Sequence, residues 1–274
     1  MNKNIKCFIN TAVKNIISRV SSEDKLKLLH KKHTCKVHFI PENYRVFGGV
    51  LQSMNIQFGN FIEELMQLII ENENTYEIIN EFSGKKSNNF DISSANSNYI
   101  DNYIDNCQIH GEKFCDNNFQ LMQNELLKPD SGAKNIFKHD IDLLFRNKKT
   151  DTYYYLEIKY NDDHDTGKFI DINRKFIKTY AFLISKLDIK KVNQLVPIIF
   201  YFTSKTMKGN IYVPESTNIL RGKAFFDKFI KNISYDELNK YLTEISESAE
   251  MIKMFNELYG KVVNPPAPLL NPAL

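Results

Sequence analysis

The sequence predicts a mixed α/β fold, in which a small central mixed β-sheet is flanked by helices. Three observations support this class. Apolar residues recur at helical spacing near both ends of the chain, over 4–20 and 249–259. Two segments with β-forming residues, 136–146 and 151–160, follow each other in the middle. A continuous apolar run over 195–202 is typical of a buried strand.

The composition is that of a folded protein with an ordinary core. The chain has 274 residues, of which 42 % are hydrophobic and 25 % charged, enough for one large or two small domains. Four cysteines without a CxxC pair argue against a disulfide scaffold or a zinc module. No apolar stretch approaches 18 residues, and the N-terminus lacks the apolar core of a signal peptide, so we expect a cytoplasmic protein.

The formal net charge is +3 and the sequence pI is about 8.4. This balance is compatible with a nucleic-acid partner, but charge alone does not argue for one.

The N-terminal region is predicted to be helical. The apolar residues of 4–20 form one face of an amphipathic helix, and Ser22 with its two acidic neighbours caps a second helix over 25–32. The pair Gly48-Gly49 precedes a strong helix over 57–72, which carries a broad apolar face.

Residues 73–118 change in character, since they are rich in Asn, Asp and Ser. Such a stretch buries little apolar area, so it predicts a long surface excursion with one strand near 76–82. A short helix over 119–127 ends before Pro129.

The remaining elements follow the two central strands, which a short polar linker joins as a hairpin. A capping box from Ser234 to Glu237 opens the helix that runs to residue 245. The tail 263–274 is rich in proline and is expected to be extended or disordered. The other predicted elements are helices at 168–186, 224–230 and 249–259, and strands at 195–202 and 211–213.

The two central strands carry a pattern of charged residues. Side chains alternate along a strand, so Asp140 and Asp142 share a face of their strand, and Glu157 and Lys159 likewise share a face of theirs. These acidic residues lie within strongly apolar strands. The two strands therefore predict a cluster of carboxylates and one ammonium.

The hairpin register decides which of these groups meet. If Arg146 lies opposite Tyr153, Asp142 pairs with Glu157, and the remaining aspartate and lysine pair with each other.

Carboxylate oxygens are ligands for Mg²⁺, which is usually held by one or two carboxylates together with a substrate phosphate. A nearby lysine can contact the same phosphate and the attacking water. The pattern therefore favours hydrolysis of a phosphodiester. The alternative is a solvated sheet face with cross-strand ion pairs, which the same residues also allow.

The stretch HDIDLLF…YYYLEIKYNDDHDTGK resembles the PD-(D/E)xK nuclease superfamily, which includes many type II restriction endonucleases. The resemblance implies a restriction-endonuclease-like core and Mg²⁺-dependent cleavage of DNA. It assigns metal binding to Asp142 and Glu157 and catalysis to these two residues with Lys159, while Asp140 is the second choice for the aspartate. The proline of the motif is absent, and His139 or Lys138 stands near its place.

Other residues take roles from the same resemblance. Gly59 to Glu63 looks like the superfamily's N-terminal motif, which makes Glu63 an additional metal ligand, with Glu64 as second choice. Lys168 either contacts a phosphate or simply belongs to a capped helix start. Three basic residues of the next helix either neutralise DNA phosphates or solvate that face: Arg174, Lys175 and Lys178.

More narrowly, four blocks between residues 48 and 230 look like the TdeIII/HinfI-type group of type II restriction enzymes. This resemblance implies sequence-specific cleavage of double-stranded DNA by a homodimer, with a cognate DNA methyltransferase as genetic partner. We therefore predict one nuclease domain over 1–262. The alternatives are a non-sequence-specific or repair nuclease of the same fold, and an inactive module that only binds nucleic acid.

Overall fold

A computed structural model describes residues 1–34, 36–86, 88–129, 132–163 and 165–263. The chain divides into two compact units, the first formed by residues before 66 together with those from 235 onward, and the second by the residues between. The single domain over 1–262 stays a prediction. The proline-rich tail lies almost entirely outside the described residues. No described helix is long and apolar enough to cross a membrane.

The first unit is helical. Its described elements are α1 (Lys3–Val20), α2 (Glu23–His33), most of α3 (Glu42–Glu71), α8 (Tyr235–Ser246) and α9 (Ala249–Val263). Ser22 caps α2 as predicted, since its side chain accepts a hydrogen bond from the Lys25 amide. Buried apolar residues from α1, α2, α3 and α9 form one cluster: Val20, Leu26, Leu29, Val46, Val50, Leu258 and Val262.

Helix α3 differs from the prediction, because Gly48 and Gly49 lie inside it rather than before it. A Cβ atom at Gly49 would lie 3.1 Å from Leu29 Cδ2 and 3.4 Å from His33 Nε2. Glycine at this position therefore lets α2 approach α3 closely. The sequence pattern suggested that the two glycines break the helix, whereas Gly49 is needed for packing.

The second unit is built on a mixed sheet, as predicted. Its five strands lie in the order β1-β4-β5-β6-β7, antiparallel as far as β5 and parallel from there. Strands β2 and β3 form a separate antiparallel pair. The strands are β1 (Tyr76–Ile78), β2 (Asn89–Ser93), β3 (Lys134–Lys138), β4 (Leu143–Asn147), β5 (Tyr153–Lys159), β6 (Leu195–Tyr201) and β7 (Ile219–Arg221).

Helices cover both faces of the sheet. The helices of this unit are α4 (Ser94–His110), α5 (Glu112–Leu126), α6 (Thr166–Lys186) and α7 (Gly222–Phe229). Helix α6 connects the parallel strands β5 and β6, and its Phe176 stacks on Tyr155 at 4.9 Å between ring centroids. On the opposite face, Phe225 of α7 lies 4.2 Å from Phe200. Aromatic packing thus fixes β5 and β6 between the two helices.

The predicted strand over 211–213 does not form. The Asn210 Oδ1 atom accepts hydrogen bonds from the Tyr212 and Val213 amides, at 2.8 and 3.1 Å. These amides are thereby occupied in a local turn and do not pair with a strand. The last strand of the sheet is β7 instead.

The surface excursion predicted for 73–118 is wrong. This segment forms β1, β2, α4 and the start of α5, and α4 buries one stripe of residues in the main core: Ile100, Tyr103, Ile104 and Cys107. These residues recur at positions i, i+3, i+4 and i+7. The stripe is narrow, and the Asn, Asp and Ser residues around it dominate the composition that led to the prediction.

The burial of α4 predicts different effects for two isoleucines of the same helix. Ile104 is fully buried, whereas Ile109 is 73 % exposed. Ile104→Ala should lower the free energy of unfolding by about 2–5 kcal/mol, because it removes buried methyl groups and leaves a cavity. Ile109→Ala should change it by less than about 0.5 kcal/mol. Urea unfolding followed by circular dichroism measures both. Equal effects would contradict the burial of α4.

Candidate active site

Two neighbouring strands bring a lysine and two carboxylates together at one end of the sheet. The Lys159 ammonium lies 2.7 Å from Glu157 Oε1 and 3.2 Å from Asp142 Oδ2. Glu157 and Lys159 belong to β5, and Asp142 directly precedes β4. Glu157 is buried, with 4 % of its surface exposed. The sequence pattern predicts this cluster of three side chains, and the structure brings them together.

Asp142 also ends the pairing of its own strand. The register has Arg146 opposite Tyr153, as predicted, and the last paired residues are Leu143 and Leu156. Beyond them, the Ile158 amide donates a hydrogen bond to Asp142 Oδ2 at 2.7 Å, so a side chain replaces the backbone partner. For this reason the predicted continuous strand over 136–146 is divided into β3 and β4.

Asp140 does not face Lys159, and the predicted pairing of these two residues is wrong. Its Oδ1 atom accepts hydrogen bonds from the backbone amides of Lys86 and Asn88, both at 3.2 Å. Because the strand is interrupted between β3 and β4, Asp140 and Asp142 no longer share one face. Asp140 fastens the segment before β2 to the segment before β4.

The buried carboxylate is strongly acidic. Burial by itself would raise the pKa of Glu157, but the neighbouring Lys159 ammonium and the His139 ring lower this pKa to about 2. Burial and the charges of Glu157 and Asp142 raise the pKa of the Tyr155 hydroxyl well above its ordinary value. Both effects indicate a site that carries negative charge at neutral pH next to a neutral phenol.

His139 is part of this cluster. From the sequence it was noted only as a residue near the place of the missing motif proline. Its Nδ1 atom lies 2.8 Å from Thr179 Oγ1 on α6, and its Nε2 atom lies 3.6 Å from Glu157 Oε2. The ring therefore connects α6 with the buried carboxylate. Thr179 is 40 positions away in the sequence, so no local spacing indicates this contact.

Asp162, just after β5, is a second residue that sequence reasoning missed. It is fully buried, and its carboxylate accepts hydrogen bonds from the amides of Met207, Lys208 and Gly209 at 3.0–3.2 Å. Arg221 at the end of β7 lies 3.1 Å from it. Burial opposes ionisation, but these amides and the guanidinium lower the pKa of Asp162. Asp162 thus holds the loop after β5 to the segment before β7.

The predicted phosphate-binding residues of α6 are engaged in other contacts. Arg174 Nε and Lys178 Nζ both pair with Asp101 of α4, at 2.9 and 3.0 Å. Lys175 pairs with Asp171 one turn earlier, at 2.9 Å. These ion pairs reduce the positive charge that this face of α6 presents, and the contacts with DNA phosphates stay a prediction.

Lys168 is exposed at the start of α6, where Asp165 caps the helix by accepting a hydrogen bond from the Lys168 amide at 2.9 Å. The predicted capped helix start is confirmed, with Asp165 as the cap, and a phosphate contact of the Lys168 ammonium stays a prediction.

Glu63 and Glu64 lie on α3 within the first unit. Their roles as metal ligands likewise stay predictions.

The mixed sheet and the cluster of Asp142, Glu157 and Lys159 at the ends of its inner strands β4 and β5 define the class. This is the architecture of a restriction-endonuclease-like nuclease, as the resemblance implied. The family model described as "Type II restriction endonuclease, HinfI" matches residues 1–246. The chain therefore belongs to the HinfI family of type II restriction endonucleases, which cleave DNA at specific sequences and need a divalent metal ion.

A curated relative supports this assignment. The chain is 53 % identical over 263 residues to the type II restriction enzyme HinfI of Haemophilus influenzae, covering 96 % of this chain and 99 % of that enzyme. No solved structure matches the chain.

The lowered pKa of Asp162 predicts how the stability of the fold depends on pH. Its pKa is lowered in the folded state, so its stabilising effect is present above the ordinary aspartate pKa of 3.8 and is lost as the pH falls through the lowered value. Asp162→Asn should lower the free energy of unfolding at pH 7 by about 3 kcal/mol, because a buried ionic and hydrogen-bonding partner is removed. This difference from the unmodified protein should shrink in acid.

Urea unfolding at pH 7 and below pH 3.8 measures the difference. Asp163→Asn is the matched control, since the Asp163 side chain is 58 % exposed and lies 4.0 Å from Lys208 Nζ. It should have little effect at either pH. An effect of Asp162→Asn that is equal at both pH values would contradict the prediction.

Proposed function

We propose that this chain hydrolyses phosphodiester bonds in double-stranded DNA at a specific sequence, using Mg²⁺ held by Asp142 and Glu157. The observation that carries the proposal is the Lys159 ammonium, which lies within 3.2 Å of both carboxylates where β4 and β5 end their pairing. The identity of 53 % to a type II restriction enzyme favours this function over a non-specific nuclease or an inactive binding module.

The donor set fits Mg²⁺. The described residues include no group of three or more His, Cys, Asp and Glu side chains placed to hold a metal ion. Mg²⁺ does not need such a group, since it keeps several waters and is usually bound by one or two carboxylates and substrate phosphate. Glu157 Oε2 is buried, and the nearest described partner, His139 Nε2, lies 3.6 Å away, beyond hydrogen-bond distance, which leaves this oxygen available to a metal ion.

Mg²⁺ bound at these carboxylates would supply a positive charge that stabilises the developing negative charge on the phosphate and acidifies a water molecule. The pKa of Glu157 is lowered, so this carboxylate provides negative charge that holds such an ion, and Asp142 supplies a second set of carboxylate oxygens beside it. The Lys159 ammonium donates hydrogen bonds to the phosphate oxygen or to the attacking water, and so positions them for in-line attack. His139 positions the Glu157 carboxylate from the side of α6.

Other parts of the proposal rest on the resemblance to restriction enzymes. We propose a homodimer, whose two-fold symmetry matches a palindromic DNA site, and a cognate DNA methyltransferase as genetic partner in the bacterial cytoplasm. The proposed accessory residues are Glu63 and Glu64 as further metal ligands, Asp140 as the second choice for the aspartate, and Lys168, Arg174, Lys175 and Lys178 as phosphate contacts.

Substitutions in the cluster test this function. Glu157→Gln and Asp142→Asn should each reduce cleavage of phage DNA by at least about 100-fold, because each removes a metal-binding charge while the side chain keeps its size. Binding of a DNA duplex should persist. The unmodified protein should give discrete fragments on a gel with Mg²⁺ and none after chelation.

Asp140→Asn is the matched control for the choice of aspartate. Its amide oxygen can still accept the two backbone hydrogen bonds, so we expect activity within about tenfold of the unmodified protein. A larger loss for Asp140→Asn than for Asp142→Asn would reverse the assignment of the metal ligand. Smeared rather than discrete fragments would contradict sequence specificity.

The proposed homodimer predicts a sedimentation mass near twice the 32.0 kDa of one chain. Analytical ultracentrifugation at several protein concentrations measures this mass. A value of one chain mass, both with and without a duplex that contains the cleavage site, would contradict the homodimer.

A further inference from the structure

The first unit contains a strongly basic groove between α2 and α3, which we call the α2–α3 groove. Its volume is about 570 Å³. Gly48 and Gly49 of α3 lie along it. The charged and titratable residues that line it are all basic: Lys25, Lys32, His33, Lys36, His38 and Arg45. The groove contains no residue of the carboxylate–lysine cluster.

The charge of the groove belongs to one short stretch of sequence. Residues 25–45 contain five lysines and one arginine against a single glutamate, a net charge of +5 in a chain whose total is +3. That glutamate, Glu42, accepts a hydrogen bond from Thr34 Oγ1 and lies 3.4 Å from His30 Nδ1. Within the described ranges, Lys25, Lys32 and Lys36 form no ion pair, so their charges are not neutralised by neighbouring carboxylates.

Two buried nitrogen atoms at the groove have no hydrogen-bond partner among the described residues. These are His33 Nδ1 and Arg45 Nε. Arg45 is nevertheless held in place, since its Nη1 atom donates to the Lys36 carbonyl at 3.0 Å. Burial and the positive charges of Lys36, Arg45 and Lys32 lower the pKa of His33. The Arg45 guanidinium nitrogen is a buried donor without a partner among the described residues, and such a donor beside several cations is expected of an anion-binding surface.

The loop that follows α2 adds exposed apolar side chains to this basic surface. Val37 is fully exposed and Phe39 is 93 % exposed, and they alternate with Lys36 and His38 along the chain. Proteins that bind DNA use such residues against sugars and bases, beside cations that contact phosphates.

We infer that the α2–α3 groove binds the phosphate backbone of double-stranded DNA. The inference rests on the proposed function, because it takes DNA as the polyanion that the protein meets. Charge complementarity favours this occupant. A row of phosphates matches a groove whose lining contains several cations and no carboxylate, and the same DNA is the substrate of the family to which the chain belongs. The groove would supply affinity that does not depend on sequence.

The test removes three charges from the groove. Lys25→Gln, Lys32→Gln and Lys36→Gln are combined, and binding of a 30-base-pair duplex is measured by fluorescence anisotropy in EDTA at several salt concentrations. The affinity at low salt should fall at least about tenfold. The slope of log K against log[salt] should become shallower by about 2–3, since each lost phosphate contact contributes about 0.9.

The matched control is the combination of Lys240→Gln, Lys253→Gln and Lys261→Gln. It removes the same charge from exposed positions on α8 and α9 of the same unit, and should keep the affinity and the slope. Thermal unfolding of both triple variants checks that each is folded. An unchanged affinity and slope in the groove variant, or equal losses in the two variants, would overturn the inference.

A second measurement separates DNA from an anionic membrane surface. Both triple variants and the unmodified protein are tested for binding to phosphatidylserine vesicles. Loss of vesicle binding in the groove variant, while its DNA binding is unchanged, would overturn the inference in favour of a lipid surface. A protein that binds DNA through these lysines yet cleaves none would contradict the proposed function and still support the inference.

Discussion

The Lys159 ammonium is the interaction on which the site depends. Asp142 and Glu157 come together at the ends of neighbouring strands, and Glu157 is buried. A buried carboxylate near a second carboxylate would take up a proton unless a cation compensates it. The ammonium lies 2.7 Å from Glu157 and 3.2 Å from Asp142, and it helps to lower the pKa of the buried Glu157. The negative charge needed to hold a divalent ion is thus present in the folded protein before DNA binds.

The same carboxylates also shape the fold around them. The Asp142 side chain accepts a hydrogen bond from the Ile158 amide and so ends the backbone pairing between β4 and β5. The preceding residues are then available to pair with β2 rather than to extend the main sheet. Asp140, two residues earlier, accepts hydrogen bonds from the backbone amides of Lys86 and Asn88, just before β2. One short acidic sequence therefore separates the two sheets and places the proposed catalytic groups at the point of separation, so the charges and the topology depend on each other.

Patterns within one strand or one helix predicted most of the fold. The β-forming residues of 151–160 predicted β5, and the alternation of Glu157 and Lys159 predicted the charged cluster. The predicted register, with Arg146 opposite Tyr153, is confirmed. Contacts between distant segments were not predictable. The His139–Thr179 contact and the hydrogen bonds from residues 207–209 to Asp162 join positions at least 40 apart, and no periodicity encodes them. The error over 73–118 arose because average composition concealed a single buried stripe on α4.

The net charge of +3 conceals a local asymmetry of the same kind. Residues 25–45 alone carry +5, so the rest of the chain carries a net −2. A metal-dependent nuclease needs both signs of charge, because cations attract the phosphate backbone while carboxylates hold the ion that acts on it. The positive and negative charges largely cancel in the net charge of the chain. Near-neutral composition is therefore compatible with strong binding of a polyanion, and the distribution of charge along the chain indicates the partner better than its sum.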